Sequence, residues 1–344
     1  MQTTKVVILN WNGASLLERF LPRVVTYVPE WARVVVADNG STDNSEEVVA
    51  RMDGVEWLPL GENYGFAGGY NRALRDMEGD YFVLLNSDVE PAEGWLEPLV
   101  ARLESNPRLA AVQPKIRAYN APEMFEYAGA AGGYIDLYGY PFCRGRIMGT
   151  VERDEGQYDS SRSLFWASGA CMVVRAEAWR KAGGLDEDFF AHMEEIDLCW
   201  RLQLMGYEVE AVGDSVVYHI GGGTLPNNSP RKIYLNFRNS LAMMYKCLPE
   251  KEMWRLKRRL WMDRLSQLVY LLKGEWSYAR AVGQAHRDYK AQSEELERKR
   301  RRVWQGVGPS QEPTTIYRRW IVWQYFMGRK HLSQLTDGSA WGDE

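Results

Sequence analysis

Residues 34–43 read VVVADNGSTD, an apolar run Val34–Ala37 that stops at Asp38 and a turn-forming Asn-Gly pair. Three further short apolar runs, Val6–Leu9, Val55–Leu58 and Tyr81–Leu85, are each followed by turn-forming residues. Between the first two, Leu16, Leu17, Phe20, Leu21, Val24 and Val25 recur at the spacing that lines one face of a helix. After the second, Asn44 or Ser45 is placed to cap a helix whose Glu46 and Glu47 suit a positive helix start. Apolar runs alternating with helical patterns predict an α/β fold with a mostly parallel central sheet and crossover helices.

The 344 residues, 45% hydrophobic, fill one large core or a core with a helical appendage. The formal net charge of −4 conceals an asymmetry: residues 251–302 carry 15 Lys or Arg against 7 Asp or Glu. A segment of +8 on an otherwise acidic body predicts a tail that meets an anionic surface. Cys143, Cys171, Cys199 and Cys247 lie far apart without a C-x-x-C pair, so reduced, mostly buried thiols in a cytoplasmic protein are expected. Val6–Leu9 is far too short for the apolar core of a signal peptide, and the stretch around Leu265–Leu272 is too short and too polar to cross a bilayer. Any membrane contact is therefore expected to be peripheral, on the inner face of the cell membrane, through the basic C-terminal helices. No nucleic-acid partner is expected.

A second block, Leu109 to about Ile220, reads as strands, loops and two helices, one of them from about Glu194 to Met205. From Ile233 onward the pattern is long, helical and rich in Trp, Arg and Leu. The expected division is a catalytic domain over 1–240, with a nucleotide half to about 115 and an acceptor half from 116, and a basic helical region over 241–344.

Ligands of an open parallel sheet gather at the carboxyl ends of its strands. The residues there are Asn10-Trp11-Asn12-Gly13, Asp38-Asn39-Gly40-Ser41-Thr42-Asp43 and Asn86-Ser87-Asp88. None matches the glycine fingerprints of dinucleotide enzymes or P-loop NTPases. Asp38 is placed to accept hydrogen bonds from a base or ribose, though alone it is also an ordinary turn former. Asp88 offers a hard oxygen ligand where a divalent ion bridges two phosphates, or it caps the turn before Pro91. The run from Glu62 to Asn71, with Asn63, Gly65 and Gly69, is a small-residue turn that permits close backbone approach to a ligand or simply connects two elements. Glu194, Glu195 and Asp197 crowd the first turn of one helix. Dipole stabilisation and an Asp197–Arg201 pair explain them structurally, and a base that takes the acceptor's proton explains them functionally. His219 closes the strand Val216–Tyr218 ahead of Gly221-Gly222-Gly223-Thr224, an imidazole ligand before a loop suited to move, or a packed histidine.

Together the segments VVILNWNG, VVVADNGSTD, ENYGFAGGYNRA, FVLLNSDVEP, SGACMVVRAEAW, GGLDEDFFAHMEEIDLCWRL, VVYHIGGGT and YLNFRNS resemble the inverting family 2 glycosyltransferases, in particular their bacterial rhamnosyltransferase-like branch, over about residues 4 to 240. The resemblance implies a nucleotide-binding fold of the glycosyltransferase A type, extended by C-terminal helices. It places Asn10 and Asn12 around the nucleotide, Asp38 on the base or ribose, and Asn63, Gly65 and Gly69 along the diphosphate and sugar. Asp88 takes the last acid of the family's Asp-x-Asp metal motif, and Asn86 stands at its first position, which leaves one carboxylate for Mg²⁺ or Mn²⁺. His219 matches a histidine that completes metal binding in relatives. The base column of the family's Glu-Asp-x-Asp motif falls on Glu195. The usual residue there is Asp, so Glu194 and Asp197 stay in contention. The implied reaction moves a sugar, with a lean to rhamnose, from a nucleoside diphosphate to a glycan or lipid-linked acceptor in cell-surface polysaccharide synthesis. Two other classes compete: a nucleotidyltransferase that makes a nucleotide-sugar, and a non-catalytic polysaccharide- or membrane-binding protein.

Overall fold

A computed structural model describes residues 3–221, 229–308, 311–335 and 340–341. The four apolar runs become the parallel strands β1 (Thr4–Asn10), β2 (Ala32–Asp38), β3 (Val55–Pro59) and β4 (Tyr81–Asn86), in the spatial order β3-β2-β1-β4. Between them run α1 (Ala14–Tyr27), α2 (Ser45–Ala50) and α3 (Gly65–Leu74), and α4 (Leu96–Ser105) follows β4. Both sheet faces are covered, so the strands are apolar throughout. Val6, Ile8, Val34 and Val36 pack with Leu17, Leu21 and Val48, while Val7, Val35 and Ala37 pack with Ala67, Tyr70 and Leu74 on the other side.

The helix expected after Asp38 forms, but neither Asn44 nor Ser45 caps it with a side chain. Asp43 does the work instead. Its carboxylate accepts from the Ala14 N–H (3.0 Å), the Ser45 N–H (3.1 Å) and the Ser45 hydroxyl (2.5 Å), joining the starts of α1 and α2.

Beyond β4 the sheet becomes mixed. The short β5 (Val89–Pro91) is followed by the long β6 (Leu109–Ala118) and by β7 (Ala121–Phe125). Next come β8 (Gly133–Asp136), β9 (Pro141–Cys143), β10 (Arg146–Ile147) and β11 (Thr150–Val151), which form a second, small sheet. The chain then returns to the main sheet as β12 (Arg162–Ser163), β13 (Cys171–Arg175) and β14 (Glu208–His219). β13 runs antiparallel between β4 and β6, so the mostly parallel character read from the sequence belongs to the first half. The apolar segment seen at Val216–Tyr218 is the last part of β14, set off by an irregularity between Val212 and Val216. Helices α5 (Ala176–Ala182) and α6 (Glu194–Leu204) lie between β13 and β14.

The C-terminal region contributes α7 (Pro230–Cys247), α8 (Met253–Leu272), α9 (Trp276–Ala291) and α10 (Ser293–Val303), and a last strand, β15 (Ile316–Tyr317), joins the small sheet beside β8. The expected division at 240/241 falls inside α7. Lys246, fully buried near the end of α7, pairs with Asp197 of α6 at 2.8 Å and with Asp186; Lys299 of α10 reaches Asp186 and Asp188. All four cysteines are free and buried. Among the described residues no helix is long and apolar enough to cross a membrane.

Replacing Lys246 by Met leaves Asp186 to Lys299 and Asp197 to Arg201, so the loss lies at the low end for a broken buried pair, about 3 kcal/mol. Urea unfolding of Lys246→Met reads it as a lower midpoint at an unchanged slope.

Candidate active site

The ends of β1 and β2 are laced together. Asn10, fully buried, donates its amide to Asp38 Oδ1 (3.0 Å) and Ser41 Oγ (3.1 Å), and Asp38 also accepts from the Ser41 N–H (2.9 Å) and hydroxyl (2.5 Å). Asn12, held at φ 49°, accepts the Thr42 N–H at 2.7 Å. Asn10 Oδ1 is buried without a hydrogen-bond partner, an acceptor left over at the strand edge.

Asn39 ties this edge to the next loop: its amide donates to the Gly65 carbonyl (3.0 Å) and Asn63 Oδ1 (3.2 Å), and its oxygen accepts the Tyr64 N–H (3.1 Å). Asn63 is exposed at this edge, as a ligand contact requires. Gly65 and Gly69 are not. Both are buried, and an added Cβ would meet the Phe190 ring at 2.6 Å in one case and Leu9 at 2.7 Å in the other. Their lack of a side chain lets α3 close on β1 and on the loop before α6.

The register of β5 against β14 sets His219 opposite Val89 and so beside Asp88. Asp88 Oδ1 and His219 Nε2 are 3.0 Å apart, and Asn86 Nδ2 lies 3.4 Å from the same nitrogen. On the far side of the ring, Nδ1 faces the carboxylate of Glu126 at 3.7 Å. Burial disfavours the imidazolium, but Asp88 and Glu126 outweigh it and raise the His219 pKa to about 10; burial likewise opposes ionised Asp88, and His219 keeps its carboxyl below the usual range. Among the described residues no three His, Cys, Asp or Glu side chains form an ion site by themselves. The pair fits Mg²⁺ or Mn²⁺ once the ion displaces the His219 proton, since only the neutral ring has a lone pair to give. One carboxylate and one imidazole are the sparse protein donor set that such ions accept when substrate phosphates supply further oxygens. Gly222-Gly223-Thr224, expected as a moving loop, lie outside the described residues.

The third cluster opens α6. Phe190, His192 and Met193 all have positive φ (61°, 69° and 74°), unusual for residues with side chains. Asn239 of α7, fully buried, donates to the carbonyls of Phe189 (3.0 Å), Ala191 (3.0 Å) and His192 (2.7 Å), and Arg238 donates to that of Asp188 (2.6 Å). The turn so held delivers Glu194 and Glu195 to an enclosed place where each keeps one carboxylate oxygen without a partner. Burial raises the Glu195 pKa from 4.5 to about 7; burial, with Glu195 and Asp197 adding, raises that of Glu194 well above its usual range. Asp197 is different. It has no exposure, and its two oxygens are held by Arg201 Nε and Lys246 Nζ, each at 2.8 Å, which makes it a strut of the helix start and not a base facing a substrate.

The clusters are joined. The Phe66 N–H donates to the Phe190 carbonyl (2.9 Å), and a Cβ added at Gly169 would meet both the Phe66 ring (3.0 Å) and Glu195 Cβ (4.0 Å). Glu126 escaped the sequence reading, and Asn39, Ser41 and Asn239 were given no individual role in it. Asn39 and Ser41 carried a signal as polar residues of VVVADNGSTD at a strand end, and Asn239 as a polar residue inside YLNFRNS.

Such an edge on such a sheet is the architecture of A-type nucleotide-sugar transferases. A family model described as "Glycosyl transferase family 2" matches residues 5–146, and one described as "Glycosyl transferase family group 2" matches residues 81–283. An N-acetylglucosaminyl-diphospho-decaprenol L-rhamnosyltransferase of Mycobacterium tuberculosis is 32% identical over 233 residues, 62% of this chain and 75% of that protein. Among solved structures, S. aureus TarS 1-349 in complex with UDP-GlcNAc superposes with a TM-score of 0.56 at 14% identity, over 96% of this chain and 93% of that one. GalNAc-T7 with UDP, GalNAc and Mn²⁺ does so with 0.56 at 17% identity, over 73% of this chain and about half (49%) of that one. The chain belongs to glycosyl transferase family 2 and is an enzyme that transfers sugars.

The raised carboxyl values fix a sign. Glu194 and Glu195 stabilise the fold in their protonated forms, fully below pH 4.5, and that contribution is lost as pH rises through about 7. A Glu194→Gln/Glu195→Gln protein, uncharged at both positions, gains thermal stability relative to wild type between about pH 5 and about pH 8, as melting curves across that range read.

Proposed function

We propose that this enzyme is a metal-dependent, inverting transferase that takes a sugar from a nucleoside diphosphate and places it on a hydroxyl of a glycan or lipid-linked acceptor. The observation that carries the reading is Glu195: a carboxylate at the start of α6 with an oxygen left unpartnered and a pKa near 7. A base poised there takes a proton at neutral pH, where an ordinary carboxylate is too weak. Rhamnose is favoured as the sugar and a polyprenol-diphosphate glycan as the acceptor, because the mycobacterial relative bears both in its name. Such an acceptor puts the enzyme at a membrane surface, within cell-surface polysaccharide synthesis.

In this scheme the β1 and β2 ends hold the nucleotide. Asn10, Asn12 and Asp38 keep the pocket open through their bonds to Ser41 and Thr42, and Asn63 contacts the donor farther along. Asp88 and His219, with Asn86 beside them, would hold Mg²⁺ or Mn²⁺, which supplies positive charge to the departing diphosphate. Glu195 withdraws the acceptor proton as the new C–O bond forms. Attack from the face opposite the leaving diphosphate inverts the anomeric centre. Glu194, enclosed and kept protonated by its neighbours, adds no charge to compete with its partner's.

Excess EDTA, or Asp88→Ala, is expected to abolish turnover and the metal-dependent part of nucleoside-diphosphate binding in calorimetry. Glu195→Gln is expected to bind donor as wild type does while kcat falls by ~10²–10⁴-fold. A wild-type rate for Glu195→Gln beside an inactive Glu194→Gln would move the base by one residue. In the wild type, kcat/KM should rise with pH to a plateau above about 7, following deprotonation of Glu195.

A further inference from the structure

Helix α8 is turned inside out. Its buried side carries Arg255, Arg259 and Asp263, in ion pairs with Glu252 (2.9 Å), with Glu312, with one another (2.7 Å) and with His286 of α9 (3.2 Å). Its outer side carries Trp261, Leu265, Leu268, Val269 and Leu272, and Trp276 continues the row at the start of α9. Leu272 is 78% exposed, Trp276 67% and Trp261 63%. Positions 261, 265, 268 and 272 fall on one stripe of the helix, so the apolar side chains are a continuous face and not scattered surface residues. The +8 charge of residues 251–302 includes Arg255 and Arg259. The structure withdraws both into ion pairs and leaves Lys257, Arg258, Arg264 and, just past the helix, Lys273 exposed around the face.

We infer that this face rests in the headgroup region of an anionic lipid bilayer. Charge complementarity selects that occupant. The only acid in α8, Asp263, is buried, so every exposed charge of the helix is a cation. A second copy docked face to face would set those cations against each other, whereas anionic lipid supplies the missing counter-charge. Tryptophans near the ends of the row suit the boundary between acyl chains and headgroups, and an amphipathic helix lying in that plane needs no spanning length. The inference deepens the proposed lipid-linked acceptor, whose sugar is presented at the surface the helix would occupy. It does not depend on that acceptor for its test.

The test is flotation of the full chain with vesicles of phosphatidylcholine plus phosphatidylglycerol, and with phosphatidylcholine alone. Expected are co-flotation with the anionic vesicles, a weaker signal with neutral ones, and loss as salt is raised. Leu268→Asp/Leu272→Asp should lower the partition coefficient at least about tenfold, and Gln at Lys257, Arg258 or Arg264 about fivefold each. Because these side chains point outward, melting temperature and nucleoside-diphosphate binding should stay at wild-type values. Flotation that is absent, or indifferent to the Leu268→Asp/Leu272→Asp change, overturns the inference. So does a dimer in light scattering that this change dissolves, since the face would then join two copies. Failure of nucleoside-diphosphate release from a donor, with flotation intact, would count against the transferase scheme and leave the membrane face standing.

Discussion

Lys246 lies on the inner side of α7 with its ammonium between Asp186 and Asp197 and no access to water. An ion buried this deeply is tolerable only when its partners are fixed, so the pair of carboxylates and the lysine immobilise one another. Asp197 belongs to the helix that carries the candidate base, and Asp186 opens the turn before it. Lys299 approaches Asp186 from α10 and Arg201 closes on Asp197 from within α6. The C-terminal helices are therefore a wall of the active site. The expected boundary at 240/241 cuts through α7 itself.

That wall also explains how a strained turn persists. Three non-glycine residues with positive φ within four positions cost about 1–3 kcal/mol each, and a loop in water would relax. Asn239 opposes it by spreading one amide over the carbonyls of Phe189, Ala191 and His192. The outcome is chemical. Carboxylates at a helix start are normally favoured in their charged form by the dipole, yet at Glu194 and Glu195 burial wins and the protonated form is favoured.

The first half of the fold was legible because its signals are local. Four apolar runs and their turns predict four parallel strands, and the strand-end residues Asn10, Asp38 and Asp88 stand where a sheet edge must put them. Asp197 was legible in one of its two readings, since its partner Arg201 lies one helical turn away. What failed to show depends on contacts between distant segments. Glu126 matters only because β14 carries His219 to it, Asn239 because α7 packs over a turn fifty residues earlier, and Gly69 because Leu9 fills the space where its side chain would be. The net charge of residues 251–302 hides which cations of α8 face outward for the same reason. Composition counts Arg255 and Arg259 as surface cations, and only the partners Glu312 and Asp263 reveal them as interior ones.

The two sides of the cleft are consequently built in different ways. The nucleotide side is held by short-range bonds among neighbouring strand ends, Asn10 to Asp38 and Ser41, Asn12 to Thr42, Asn39 to Asn63. The side that bears Glu195 is held by α7 and, through Lys299, by α10. A disturbance of the C-terminal helices reaches the turn before Glu195 ahead of the strand ends, because Asn239 and Arg238 of α7 hold that turn whereas the strand ends are fixed by the sheet itself. Whatever grips the outer face of α8 acts on that same helical layer, since α8 packs on α9 and α9 on α7. Contact with a surface on the outside is thus mechanically nearer to Glu195, the proposed base, than to the strand ends that carry Asn10 and Asp38.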